Sequence, residues 1–144
     1  MATLHLGVLD IPYPDEGGIT THEVAEILER RYHIMEVFFT VHEKEVADSM
    51  ADSVAGALDA IMNGADKATF DPLGEGMSEI EEKFREFLSL REMDQLGVPG
   101  VPTEAARRGV SHRFKRPYVK RAERPSFIDT GLYQSVFRAW VDNE

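Results

Sequence analysis

The chain has 144 residues, 42% hydrophobic and 29% charged, with a formal net charge of −10, the profile of a single globular domain over residues 1–144 that can bury a core without cross-links. It contains no cysteine, which excludes disulfides, thiolate zinc sites, iron–sulfur ligation and cysteine nucleophiles. Residues 1–12 lack the basic start of a secretory signal, and no window approaches the roughly 20 apolar residues of a membrane span, so cytoplasmic synthesis and no membrane partner are expected.

In chain order, Leu4, Leu6 and Val8, with Ile11 after them, predict an N-terminal strand stopped by Pro12, Pro14 and the turn formers Asp15-Glu16-Gly17-Gly18. Thr20 and Glu23 have the spacing of a capping box and start a helix. Its apolar positions are Val24, Ile27, Leu28, Ile34, Met35 and Phe38, with Glu26, Glu29, Arg30 and Glu36 on the wet side. Val46, Met50, Val54, Ala57, Leu58 and Ile61 continue the pattern up to Asn63-Gly64, a left-handed stop. This second stripe lies roughly 90° around the helix from the first. Residues 20–63 are therefore either two helices broken near Thr40 to Lys44 or one long bent helix.

Residues 64–77 are turn-rich and read as a loop. Ser78 and Glu81 form a second capping-box pattern. Ile80, Phe84, Phe87 and Leu88 then make the stripe of a helix running to about Leu96 and ended by Gly97. Pro99 and Pro102 keep the next stretch irregular. Thr103 caps, and Gly109 closes, one or two helical turns. Near the C-terminus, Asp129-Thr130-Gly131 supplies an N-cap and turn, Leu132 to Ser135 a helical turn, and Val136 to Val141 a strand with Phe137 and Trp140 on opposite faces. Trp140, the single tryptophan, is expected to be largely buried in the subunit or at its interface. The predicted class is α+β: long amphipathic helices packed with a small sheet formed by the N- and C-terminal strands. No internal repeat or low-complexity tract is present.

The charge is unevenly placed. Residues 107–124 carry Arg107, Arg108, Arg113, Lys115, Arg116, Lys120, Arg121 and Arg124 against the single acid Glu123, a net +7 that leaves −17 on the rest. Phe114 and Tyr118 lie within this strap and Phe127 just beyond it. Bases interleaved with aromatics can neutralise phosphates and stack on nucleobases. Arginines in a proline-punctuated arm can instead engage carboxylates of a neighbouring copy, for which the acidic body is a target. Six of the eight bases are arginine and no nucleic-acid recognition fold is visible, so the subunit contact is the preferred reading and nucleic-acid contact its alternative.

Enzymatic patterns are missing. His22 opens His-Glu-Val-Ala-Glu without the second histidine of a zincin helix, and His33 and His42 complete no ligand spacing. No serine occupies a Gly-x-Ser-x-Gly elbow. Gly74-Glu75-Gly76 precedes a helix, but Glu75 and Glu79 place negative charge where a phosphate would sit. Neither a catalytic residue, nor a metal, nor a cofactor is expected.

The C-terminal segment RPSFIDTGLYQS resembles one found in small virion proteins of tailed bacteriophages at the head-to-tail junction, the neck and tail-completion or tail-terminator proteins. The matching residues are Pro125, Ile128, Asp129, Thr130, Gly131, Leu132 and Ser135, with Trp140 in the strand that follows. The order of amphipathic helices before this segment and a strand after it is similar too. The resemblance implies a non-enzymatic structural protein, made in the host cytoplasm and incorporated into the virion, that forms a homo-oligomeric ring and contacts other neck and tail proteins.

Overall fold

A computed structural model describes residues 2–14, 18–67, 71–109, 122–128 and 131–143. Strand β1 (Ala2–Val8) is followed by helices α1 (Thr21–Tyr32), α2 (Ile34–Met62), α3 (Gly74–Ser89), α4 (Glu92–Gln95), α5 (Glu104–Arg108) and α6 (Leu132–Ser135), and then by strand β2 (Phe137–Asn143). β1 and β2 pair antiparallel with Leu6 opposite Ala139 and Val8 opposite Phe137. The expected α+β architecture, with a small sheet made by the two terminal strands, is what the chain adopts.

Helix α1 starts where the capping box predicts. The Thr20 hydroxyl accepts from Glu23 N–H, and the Glu23 carboxylate accepts from Thr20 N–H. The helix ends earlier than its apolar periodicity implied, because His33 adopts a left-handed conformation (φ 53°, ψ 45°). Glu29 explains why a new helix can begin directly after it. Its carboxylate reaches over the break and accepts from Met35 N–H (2.9 Å) and Glu36 N–H (3.1 Å), two of the unpaired donors at the start of α2. The break expected near 40–44 exists as a kink at His42, whose φ of −109° and ψ of 18° fall outside helical values. Of the two alternatives for residues 20–63, the chain forms two helices, but they part at His33 rather than near Thr40 to Lys44, and the second is kinked at His42.

Helix α3 begins four residues before the expected Ser78 start. Gly74 and Gly76, read as loop glycines, belong to its first turn. A Cβ on Gly76 would lie 2.9 Å from the Ser49 carbonyl oxygen and 3.1 Å from Ser53 Cβ, so glycine here permits close approach of α2 and α3. The predicted Ser78–Glu81 box is not formed. Ser78 donates to Gly74 C=O (3.2 Å), and the Glu81 carboxylate accepts from Ala139 N–H on β2 (3.2 Å). The helix also stops sooner than Leu96: Arg91 turns left-handed (φ 58°) and separates α3 from the short α4.

Four phenylalanines hold these elements together. Phe38 of α2, Phe84 and Phe87 of α3 and Phe137 of β2 are all fully buried. Phe84 stacks on Phe137 at 3.8 Å between ring centroids and meets Phe38 edge-on at 5.2 Å. Ile34, Ile80, Leu88 and Met93 complete the same core. Burial of aromatics on this scale dominates the stability of a small domain. Among the described residues, no helix is long and apolar enough to cross a membrane.

Candidate assembly surface

The strap is anchored at α5. Thr103 caps this helix by accepting from Ala106 N–H (3.2 Å), and Gly109 closes it at φ 63°, both as predicted. Arg107 and Arg108 are exposed in its last turn, where they complement the helix dipole. Arg108 also pairs with Glu104 at 2.7 Å. Of the other strap bases, Arg113, Lys115, Arg116, Lys120 and Arg121 lie outside the described residues.

Where description resumes, the chain is back at the same helix. Arg124 N–H donates to Ala106 C=O (3.2 Å), and Thr103 N–H donates to the hydroxyl of buried Ser126 (3.0 Å). Ser126 N–H reaches Asp94 at 3.4 Å, and the Arg91 guanidinium pairs with Glu123 at 3.0 Å. These four contacts join residues far apart in the chain, which is why no local pattern signals the closure. The described residues that flank the strap, at α5 and at 123–126, therefore meet in one neck fastened to α4 and α5. Arg124 works in that neck, its guanidinium donating to Ile128 C=O at 2.9 Å.

The phage-like segment links the neck to the sheet. Pro125 and Ile128 are half-buried, while Asp129 and Thr130 lie outside the described residues. Gly131 takes φ 80°, and Leu132 to Ser135 make the expected helical turn, in which the Ser135 hydroxyl donates to Leu132 C=O (2.9 Å). Gln134 fixes the turn to α3 by donating to Arg85 C=O (2.8 Å) and contacting the Ser89 hydroxyl (2.6 Å). In β2, Phe137 and Trp140 do fall on opposite faces, but Trp140 is 46% exposed in the subunit. Sheet pairing sets Trp140 opposite His5 on the outer face. The two rings stack at 5.3 Å, and the indole lies over Gly7, where a Cβ would come within 2.9 Å of it. The expected burial within the subunit is thereby corrected.

A second correction concerns α2. Val46 and Ala57 are buried as predicted, but Val54 and Leu58 of the same predicted stripe are exposed, Leu58 at 57%, and so is Met62 beyond them, at 78%. The cause is the close α2–α3 seam, which uses Ser49, Ser53 and Gly76 and turns the larger apolar residues away. Ala47, Ala51, Val54, Leu58 and Met62 repeat at helical spacing and line one outer stripe. Asp48, Asp52 and Asp59 run along one margin of it.

Sequence reasoning also missed a polar cluster at the α2 kink. His42 is buried, with Nδ1 3.1 Å from Glu45 and Nε2 3.0 Å from Glu92. Both carboxylates are acceptors, so only the doubly protonated ring donates to both. Lys83 of α3 also donates to Glu45. That bond, and then the one from His42, hold the Glu45 carboxyl below its ordinary range, while the same Glu45 bond raises Lys83. The cluster fastens α2, α3 and α4 across the kink. The described residues best placed to hold a cation are Glu29, His33 and Glu36, whose ligand atoms lie within 4.8 Å of one another. His33 and Glu36 there are largely exposed, and Glu29 already serves as the cap of α2.

No family model, curated protein or solved structure matches this chain.

Proposed function

We propose that this chain is a structural virion protein of a tailed phage, a neck or tail-completion subunit that forms a homo-oligomeric ring joining head and tail. The observation that carries the reading is the resemblance of residues 125–135 to the head-to-tail junction proteins. The architecture supports it. The segment lies between the strap neck and β2, so that one connector joins the basic stretch of the sequence to the terminal strand. The role is non-catalytic and its partners are further copies of the chain together with other neck and tail proteins. Heterologous contacts between a basic edge and an acidic surface close into a ring when the rotation per subunit allows.

The rival reading, a nucleic-acid-binding accessory protein, draws on Phe114 and Tyr118 among bases in a stretch without an acid from Val110 to Arg121. One variant separates the two. Arg113→Glu, Lys115→Glu and Arg116→Glu together should block self-assembly, followed by sedimentation and electron microscopy, and leave the fold intact. Normal rings alongside lost DNA binding, with wild-type affinity that falls steeply with salt, would overturn the subunit reading and establish its rival. Localisation of the chain at the neck of a purified particle tests the virion assignment directly.

A further inference from the structure

We infer that the apolar stripe on the outer face of α2 is the acceptor for the strap of a second copy, with Phe114 and Tyr118 seated on Val54, Leu58 and Met62 and the strap bases paired with Asp52 and Asp59, Asp48 being already paired with Lys44 at 2.6 Å. The inference rests on the subunit reading above and names the surface that the strap meets.

Three observations select this occupant. Leu58 and Met62 are 57% and 78% exposed, so the described residues of one chain leave the stripe open. The margin of the stripe is acidic, and the strap from Val110 to Arg121 has five bases and no acid. A second copy of α2 packed antiparallel on the stripe would instead set two aspartate rows against each other, which like charges disfavour. The lengths also agree. Val54 to Met62 rises about 12 Å along the helix, and the four-residue step from Phe114 to Tyr118 spans at most about 14 Å. A chain of twelve residues held at both ends can extend at most about 20 Å from its anchors, a limit that allows it to cross onto a neighbour. Aromatic anchors in an apolar seat supply affinity, and the charges around them set register and direction.

The absence of native cysteine makes a clean test possible. Full-length Ala51→Cys protein, altered at the edge of the stripe, is mixed with full-length Val119→Cys protein, altered beside Tyr118, and treated with a short bis-maleimide at low salt. The expected product is the mixed dimer, in excess of either homodimer and reduced by high salt. Leu58→Asp in the Ala51→Cys chain should weaken the association about tenfold. Predominant Ala51→Cys homodimers would overturn the inference in favour of α2 self-pairing. A concentration-independent link within an Ala51→Cys, Val119→Cys double variant would overturn it in favour of the strap folding onto its own chain. Absence of any mixed product also sinks it. If the triple glutamate variant loses assembly while Ala51→Cys and Val119→Cys fail to couple, only the acceptor surface is wrong. If that variant assembles normally, the subunit reading falls as well.

Discussion

Adding one methyl group to each of two glycines separates packing from helix propensity. Gly56 lies in the interior of α2, and a Cβ placed on it would meet nothing within 4 Å, whereas a Cβ on Gly76 meets the Ser49 carbonyl oxygen at 2.9 Å and Ser53 Cβ at 3.1 Å. Alanine is favoured over glycine by about 0.8–1.0 kcal/mol in a helix interior, so Gly56→Ala should stabilise the protein by about that amount. Gly76→Ala gains no more than this and loses it again in the seam. The Ser49 oxygen is a backbone atom that cannot rotate aside, so α2 and α3 must move apart and the Gly76 N–H bond to Ser53 Oγ, 3.1 Å long, must stretch. Overpacking of this kind costs about 1–3 kcal/mol. The magnitudes put Gly76→Ala between neutral and about 2 kcal/mol destabilised, and they set the two variants about 1–3 kcal/mol apart. Urea unfolding followed by helical circular dichroism measures this difference, provided both variants keep the wild-type slope. Equal stabilities for the two alanine variants would refute the close seam and the account of the exposed stripe built upon it.

Lys83→Met should lower stability chiefly across the neutral range. Glu45 is held below its ordinary value of 4.5, so its contribution is present above that value and lost as pH falls through the lowered one. Lys83 is raised above 10.5, so its contribution is present below that value and lost as pH rises through the raised one. The effect is small, as for other partly exposed pairs, and urea midpoints that differ equally at acid, neutral and alkaline pH would contradict it. Tyr133→Phe should be neutral or stabilise by up to about 1 kcal/mol, because the Tyr133 hydroxyl is buried without a hydrogen-bond partner among the described residues. Burial also holds its proton far above the ordinary phenol range. In an alkaline ultraviolet titration of the four tyrosines, folded wild type and Tyr133→Phe should give the same tyrosinate signal until the chain unfolds.

What could be read from the sequence were the features decided by near neighbours. The Thr20–Glu23 box, the Thr103 cap, the Gly109 stop and the alternation of Phe137 and Trp140 each need only a few residues and appear where expected. The failures share another cause. Glu81 had the right spacing for a cap but is taken by Ala139, 58 residues away. Gly76 looked like a turn residue because close packing against Ser49 leaves no local trace. The break at His33 is stabilised by Glu29 from the far side of the break, which periodicity does not register. Val54 and Leu58 look like core residues in any apolar count, and only the small residues of the seam reveal that α3 does not cover them. Within the candidate surface, Arg107, Arg108 and Arg124 were found by composition alone, but the inward duty of Arg124 depends on Ile128 and Ala106 being brought together.

The pairing of β1 with β2 has a consequence for biosynthesis. At roughly 5–20 residues per second, Ala2 waits roughly 7–30 s for Asn143 to be made, far longer than a helix needs to form. During that interval the buried side of β1, which carries Leu4, Leu6 and Val8, has no sheet partner. The α2–α3 pair can already collapse on Phe38, Phe84 and Phe87, leaving a cleft where Phe137 will stack. Arrival of β2 then fills this cleft and captures the waiting strand in one event, so the nascent chain acquires its sheet and the last quarter of its aromatic core together.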